Sequence, residues 1–240
     1  MTEREKDALA LEGVELQLGA RDFHFDARFA PNAITAITGP SGAGKSTLIN
    51  LIAGFERPAR GRILFSGADL TAQLPGLRPV SLIFQDNNLF AHLDLATNIG
   101  LGIHPGLKLD AEDRASISRA LSDVGLAGYE RRKPATLSGG ERQRAAFARA
   151  LVRRKPILLL DEPFAALDPG LRAEMGELLL SLQRQTASTV LLVTHNPQDV
   201  AALADEVAFL QQGRLDFLVP QNQFFAMRDV PEVQRFLGKS

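Results

Sequence analysis

An α/β fold is predicted: a mostly parallel sheet with antiparallel strands at its N-terminal edge and an inserted α-helical lobe. Three observations predict it. Apolar, β-branched runs of buried-strand length recur at 34–38, 157–160, 189–194 and 207–210. Helical spacing at 172–185 and 197–203 alternates with the last three of these runs, as parallel strand–helix–strand units require. Between 86 and 155 the character changes, because 111–124 and 139–154 have helical spacing and no strand intervenes.

In chain order, 9–38 reads as short strands, the last of which ends at Gly39. A glycine-rich turn then opens a helix at 45–53, closed by Gly54. Residues 62–66 and 79–84 are further strands, separated by a loop containing Gly and Pro. The expected organisation is a core of 1–85 and 156–240 with a helical lobe of 86–155. There are no internal repeats and no low-complexity tract.

At 45% hydrophobic and 23% charged over 240 residues, disorder is excluded as the dominant state. Lys+Arg 27 against Asp+Glu 28 leaves a net charge of −1, which argues against a strongly basic nucleic-acid binder. Zero cysteines exclude disulfides, thiolate zinc sites, iron–sulfur clusters and cysteine nucleophiles. The charged first residues lack the apolar stretch of a secretory signal. No run approaches the roughly 18 apolar residues of a membrane span, so a soluble, cytoplasmic chain is expected.

Gly39-Pro40-Ser41-Gly42-Ala43-Gly44-Lys45-Ser46 fits G-x-x-x-x-G-K-[ST] directly after a strand and at a helix start, the context this phosphate loop requires. Glycines let backbone N–H groups turn toward a β-phosphate, and the helix N-terminus adds its positive end. Lys45 is expected to reach the β- and γ-phosphates, the Ser46 hydroxyl to ligate Mg²⁺, and Thr47 to contact the α-phosphate. The buried run 157–160 ends in Asp161 and Glu162 before Pro163. Alone, these acids could simply be solvated at a strand end. With a phosphate loop upstream, Asp161 is expected to hold Mg²⁺ through water and Glu162 to polarise the attacking water.

Leu137-Ser138-Gly139-Gly140-Glu141-Arg142-Gln143-Arg144 reads locally as a helix start, with Ser138 and Glu141 forming a capping box. Two glycines in the first turn cost about 1 kcal/mol each against Ala. Their expected use is close approach of a phosphate to the helix N-terminus.

With these elements the chain resembles the ATP-binding cassette (ABC) ATPases, a P-loop NTPase family, over nearly its whole length. The order matches: 39–46, Gln85 after a strand, Leu137 to Glu141, Asp161 and Glu162, Ala166-Leu167-Asp168, then His195. The resemblance implies ATP and Mg²⁺, and a homodimer of cassettes packed head to tail. Each ATP would lie between one subunit's phosphate loop and the other's Ser138, Gly139, Gly140 and Glu141, with Asp168 at the seam. It implies that His195 contacts the γ-phosphate and stabilises transition-state charge. Gln85 would ligate Mg²⁺ and water and link ATP to the helical lobe. Two departures stand out. Counting back to the family's adenine-stacking aromatic lands near Leu18, with Phe23 and Phe25 just beyond, and Glu141 stands where Gln is commoner.

From Lys45 to Ser138 the chain runs 93 residues, without sustained heptads, unlike chromosome-maintenance and repair relatives with inserted coiled coils. With 45 residues after His195, the regulatory domain of many sugar and polyamine importers is not expected here. Leu89, Phe90, Leu93 and Leu95 read mainly as core. Phe90 and Leu93 are assigned to the groove that receives a permease helix in ABC importers. Arg78-Pro-Val-Ser-Leu-Ile-Phe-Gln85, Asn98-Ile-Gly-Leu-Gly102 and Pro105-Gly-Leu-Lys-Leu109 resemble the bacterial thiamine-import ATPases. That implies an integral-membrane permease, a periplasmic thiamine-binding protein, and a place at the cytoplasmic face of the inner membrane. Importers of iron, molybdate or another vitamin are the near alternative. A nucleic-acid-associated ABC ATPase is the distant one, resting on arginines at 131–132 and 142–154.

Overall fold

Alternation along the first strands builds an antiparallel edge. The computed structural model describes residues 8–84, 88–165 and 167–238. β1 (Leu9–Leu18) pairs antiparallel with β2 (Arg21–Phe29), whose Phe23 and Phe25 point inward while Asp22, His24 and Asp26 face solvent. β3 (Ile34–Thr38) is buried at every position, as a strand covered on both faces must be. After α1 (Lys45–Ala53) come β4 (Arg60–Phe65), β5 (Ala68–Asp69) and β6 (Val80–Ile83). Among the described residues, only helices, turns and loops lie between β6 and the next strand. The helices are α2 (Leu95–Ile103), α3 (Ala111–Asp123) and α4 (Gly139–Arg153). The chain continues through β7 (Ile157–Asp161), α5 (Pro169–Thr186), β8 (Thr189–Val193), α6 (Pro197–Leu203), β9 (Glu206–Gln211) and β10 (Arg214–Pro220). It closes with α7 (Gln221–Ala226) and α8 (Pro231–Phe236).

The strands form one sheet in the order β5-β4-β1-β2-β10-β9-β3-β8-β7-β6. From β9 to β6 neighbours run parallel, whereas β4, β5, β1 and β2 pair antiparallel, as does β10 with β9. One core packs α1 between the antiparallel edge and β3, with Phe25, Phe29, Leu48 and Ile52 buried. A second joins α2 to α5 with β7 and β8 around Phe147, Phe164 and Leu179.

α1 spans the expected residues 45–53. Its last carbonyls are taken by a cation from far along the chain. Arg78, 1% exposed, donates from Nη1 to Leu51 O (2.6 Å) and Ile52 O (2.9 Å), and from Nε to Gln73 O (3.1 Å). A positive group at a helix C-terminus complements its partial negative charge. α2 lies inside the expected helical lobe but outside the two stretches, 111–124 and 139–154, whose spacing predicts a helix, and it contains Gly100 and Gly102, which are poor helix formers. Asp94 caps it, accepting from Thr97 N–H (2.8 Å), and a Cβ at Gly102 would lie 2.8 Å from the Arg149 carbonyl of α4. Close packing of two helices outweighs propensity there. Strand β10 and the two C-terminal helices were likewise not anticipated; they cover β9 with Phe217, Phe224 and Val233.

Candidate active site

Strands β3, β7 and β8 end side by side, since Ile37 and Asp161 both pair with Val193. The segments that follow them meet at one carboxyl edge, where open α/β sheets place ligands. Leaving β3, Gly39 adopts φ 138°, and a Cβ there would overlap the Leu210 carbonyl oxygen, so the loop can begin only with glycine. Ala43 N–H closes it onto Pro40 O (3.2 Å), and Gly213 N–H ties Ala43 O (3.1 Å) to the β9–β10 turn. Ser41 and Gly42 are exposed, while Ala43 and Gly44 are buried. Gly44 is the N-cap of α1, with no side-chain acceptor on the first turn. The Lys45 ammonium donates to Gly39 O (2.9 Å) and Pro40 O (3.0 Å), which places it along the inside of the loop. Burial pulls Lys45 below the usual lysine range, and Glu162 and Asp161 oppose that shift.

The Ser46 hydroxyl lies close enough to the Asp161 carboxylate to favour its charged form, so the two expected metal-site residues come together. Burial pushes the Asp161 carboxyl above the usual carboxylate range and Glu162 adds to the shift, while Ser46 and Lys45 oppose it. Hydroxyl and carboxylate oxygens are the donors a hard divalent cation prefers. Glu162 follows with φ 47°, a left-handed conformation costing about 1–3 kcal/mol for a residue with a side chain. Its N–H donates to Val193 O (3.1 Å), and its Oε2 lies 3.3 Å from His195 Nδ1. His195 and Glu162, expected from distant sequence positions, are therefore in contact, and the Glu162 charge acts on Lys45.

Ser138 and Glu141 form the capping box as expected: Ser138 N–H donates to Glu141 Oε2 (2.7 Å), and Glu141 N–H to Ser138 Oγ (3.2 Å). The Ser138 N–H holds the Glu141 carboxyl below the usual range. The two glycines differ. A Cβ on Gly139 would meet nothing within 4 Å, whereas one on Gly140 would overlap Leu171 of α5. Gly140 thus has a packing reason that the phosphate argument had not supplied. Asp168, exposed, caps α5 by accepting from Leu171 N–H (3.0 Å). Gln85 and Ala166 lie outside the described residues.

Phe23 and Phe25 do not face a base. They are 6% and 1% exposed and pack beneath the phosphate loop, where a Cβ on Gly44 would lie 3.0 Å from Phe23. Leu18 is 37% exposed. Phe90 lines a cavity of about 260 Å³ with Phe55, Phe84, Leu101, Arg149 and Arg153, but Leu93 is not among its lining residues. Much of the arginine cluster of 142–154 is engaged within the chain: Arg142 donates to Leu137 O (2.9 Å), Arg149 to Asn88 O (2.7 Å), and Arg144 lies 3.8 Å from Glu174.

A family model described as ABC transporter matches residues 23–165. The chain belongs to the ABC transporter family. It is similar to the thiamine import ATP-binding protein ThiQ of Rhizobium meliloti (strain 1021), at 54% identity over 231 residues, 96% of this chain and 97% of the relative. Among solved structures, cbiO1 from Clostridium perfringens, part of the ABC transporter complex cbiONQ, shares 29% identity and a TM-score of 0.82, over 96% of this chain and 94% of that one. The ATP-binding cassette MJ0796, a dimer bound to ADP and Pi after hydrolysis, shares 26% identity and a TM-score of 0.77, over 89% and 98%. Among the described residues, no helix of this ABC cassette is long and apolar enough to cross a membrane.

Three residues near the site make contacts to which the sequence alone assigns no role. Arg21 brings Nη1 to 3.3 Å from where a Cβ of Gly42 would stand, so a cation lies against the phosphate loop. Gln143 of α4, 2% exposed, donates to the Pro163 carbonyl next to Glu162. Asp199, 5% exposed, accepts from the Thr194 hydroxyl at 2.6 Å. A polar residue on the buried face of a helical stripe was the available signal for Gln143. Arg21 and Asp199 had none.

Proposed function

We propose that this chain is the ATP-hydrolysing subunit of a bacterial thiamine importer, acting through a separate permease at the cytoplasmic face of the inner membrane. The chemistry rests on one observation: Glu162 and His195 meet at 3.3 Å at the carboxyl edge where the loop carrying Lys45 also begins. The cargo rests on the 54% identity to a thiamine import ATP-binding protein.

The backbone N–H groups of 39–47 and the start of α1 bind the phosphates, with Pro40, Ser41, Gly42 and Ala43 shaping the loop and Thr47 at the α-phosphate. Lys45 leaves its loop carbonyls for the β- and γ-phosphates. Ser46 and Gln85, with Asp161 through water, would hold Mg²⁺, which would supply charge neutralisation at the phosphates. Glu162 accepts a proton from the water whose oxygen attacks the γ-phosphorus as the bond to ADP breaks. His195 donates a hydrogen bond to the γ-phosphate oxygens as negative charge develops there.

Two copies pack head to tail, so that Ser138, Gly139, Gly140 and Glu141 of the lobe 86–155 close over ATP held by the partner's core of 1–85 and 156–240. Asp168 lies at that seam. The open face at Gly139 leaves space for a phosphate oxygen. The cavity lined by Phe90 receives the permease helix, and a periplasmic thiamine-binding protein delivers the cargo outside.

The test is uptake of labelled thiamine at low external concentration, in cells lacking other thiamine carriers, whose only copy of this gene carries Glu162→Gln. Uptake should be lost at normal protein level. Uptake equal to wild type would remove thiamine as the cargo, and purified Glu162→Gln protein turning over ATP normally would remove the catalytic assignment.

A further inference from the structure

The His195 loop is fastened to the Glu162 turn by buried side chains that the mechanism above does not use. The Thr194 hydroxyl donates to Asp199 Oδ2 (2.6 Å) and accepts from Asn196 N–H (3.1 Å), so one oxygen pins the backbone on both sides of His195. Asp199 faces Arg172 of α5, Oδ1 to Nη1 3.9 Å. Arg172 in turn donates from Nη2 to the Phe164 carbonyl (2.8 Å). Its neighbour carbonyl, that of Pro163, is held by Gln143. The two residues that follow Glu162 are therefore each tethered by a side chain from a different helix. Asp199 and the Arg172 side chain are 5% and 20% exposed, so their charges meet where water screens them little.

We infer that Arg172 and Asp199 are positioning residues that set His195 against Glu162, and so control the hydrolytic step without touching ATP. The inference rests on the catalytic reading of Glu162 and His195. The physical reason is that Glu162 and His195 each sit on a short irregular segment beyond a strand end, and Glu162 carries left-handed backbone as well. Backbone pairing reaches only Glu162 N–H to Val193 O and Thr194 N–H to Ile37 O, so the placement of the two side chains beyond those bonds is left to the side chains that hold their segments. A carboxylate shared between the hydroxyl flanking His195 and a guanidinium bound to the Glu162 turn does this. Misplacement by about 1 Å in such a pair can cost on the order of 100-fold in rate.

The experiment compares ATP turnover in the full chain for wild type, Asp199→Asn, Thr194→Val, His195→Ala and the double variant His195→Ala/Asp199→Asn. Asp199→Asn should lower kcat at least about 10-fold with the KM for ATP within about twofold, since ground-state binding is not touched. Thr194→Val breaks the same link without stranding a charge and should give the same split, which keeps the test open if Asp199→Asn folds poorly. In the His195→Ala background, Asp199→Asn should add less than about twofold, because groups acting through one another do not sum. The inference is overturned if both link variants keep kcat within twofold of wild type, if KM rises as much as kcat falls, or if the losses multiply in the double variant. Wild-type turnover in His195→Ala and Glu162→Gln would instead bring down the catalytic reading beneath it. Loss in those two with none in Asp199→Asn and Thr194→Val would bring down this inference alone.

Discussion

The helices that begin at Lys45 and at Gly139 both open on glycine-rich sequence, yet their first turns are satisfied in opposite ways. α1 has a left-handed Gly44 as N-cap, no side-chain acceptor and no acid in its first turn. α4 has Ser138 and Glu141 bonding reciprocally to the backbone. Orphan N–H groups at a helix start must find acceptors. At α1 the chain supplies none from its side chains, so the donors suit an anionic ligand. At α4 the chain's own oxygens serve, and the helix start stands formed before any ligand arrives. Their ends contrast as well: α1 finishes against buried Arg78, whereas α4 finishes on Arg154 in left-handed backbone. The ligand-dependent start is thus mounted on the helix with the more deeply anchored end.

That contrast can be broken or sharpened by four substitutions, taken from the largest expected effect down. Arg78→Met removes the donor on the Ile52 carbonyl and leaves Leu51 O with Gly54 N–H alone, and should cost about 3 kcal/mol, read from denaturant midpoints. A loss below 1 kcal/mol would show that α1 does not depend on this anchor. Lys45→Ala should weaken ATP binding about 100-fold, about 2.7 kcal/mol by titration calorimetry, with little change in the unfolding midpoint. If affinity held while the midpoint fell, the lysine would be serving its own loop and not a phosphate.

Ser138→Ala removes half of the capping box and should cost about 1 kcal/mol of stability. ATP affinity of the single chain should stay constant, because this helix start serves the partner's nucleotide in the proposed dimer; a fall in the monomer's affinity would count against that arrangement. Glu141→Gln keeps both hydrogen bonds possible and should change stability at neutral pH by less than about 0.5 kcal/mol. Its effect lies in acid. Glu141 has its folded pKa depressed by the Ser138 N–H, so its contribution is present above the ordinary carboxylate pKa and fades as pH falls through the folded value. The Gln variant should lose stability less steeply below that range than wild type. Identical acid slopes would show that the box does not titrate.

Features whose causes are local were legible in the sequence. The bounds of α1, the capping box at Ser138 and Glu141, and the loop of 39–46 follow from residues within a few positions of one another. Features whose causes lie across the fold were not. α2 packs closely on α4 at Gly102, and nothing near residue 102 announces that contact. Counting back from the loop lands near Leu18 with Phe23 and Phe25 just beyond, and only the strand alternation shows that both Phe rings turn under Gly44. Arg78, which helped to carry the family resemblance, is a buried clasp on a helix end. Its value is invisible until residues 51, 52 and 78 are brought together.

By itself, the sequence determined the chemical inventory of this ABC cassette: a phosphate-binding loop, two carboxylates at a strand end, a glycine-led helix start and a histidine after a strand. Tertiary structure alone decided that Ser46 comes beside Asp161, that Glu162 meets His195, and that Asp199 lies between Thr194 and Arg172. Short-range patterns record which backbone a segment prefers and which side chains are on hand. The register of parallel strands separated by long crossovers is set by packing summed over the whole sheet. So the distances on which catalysis depends are written in no single stretch of the chain.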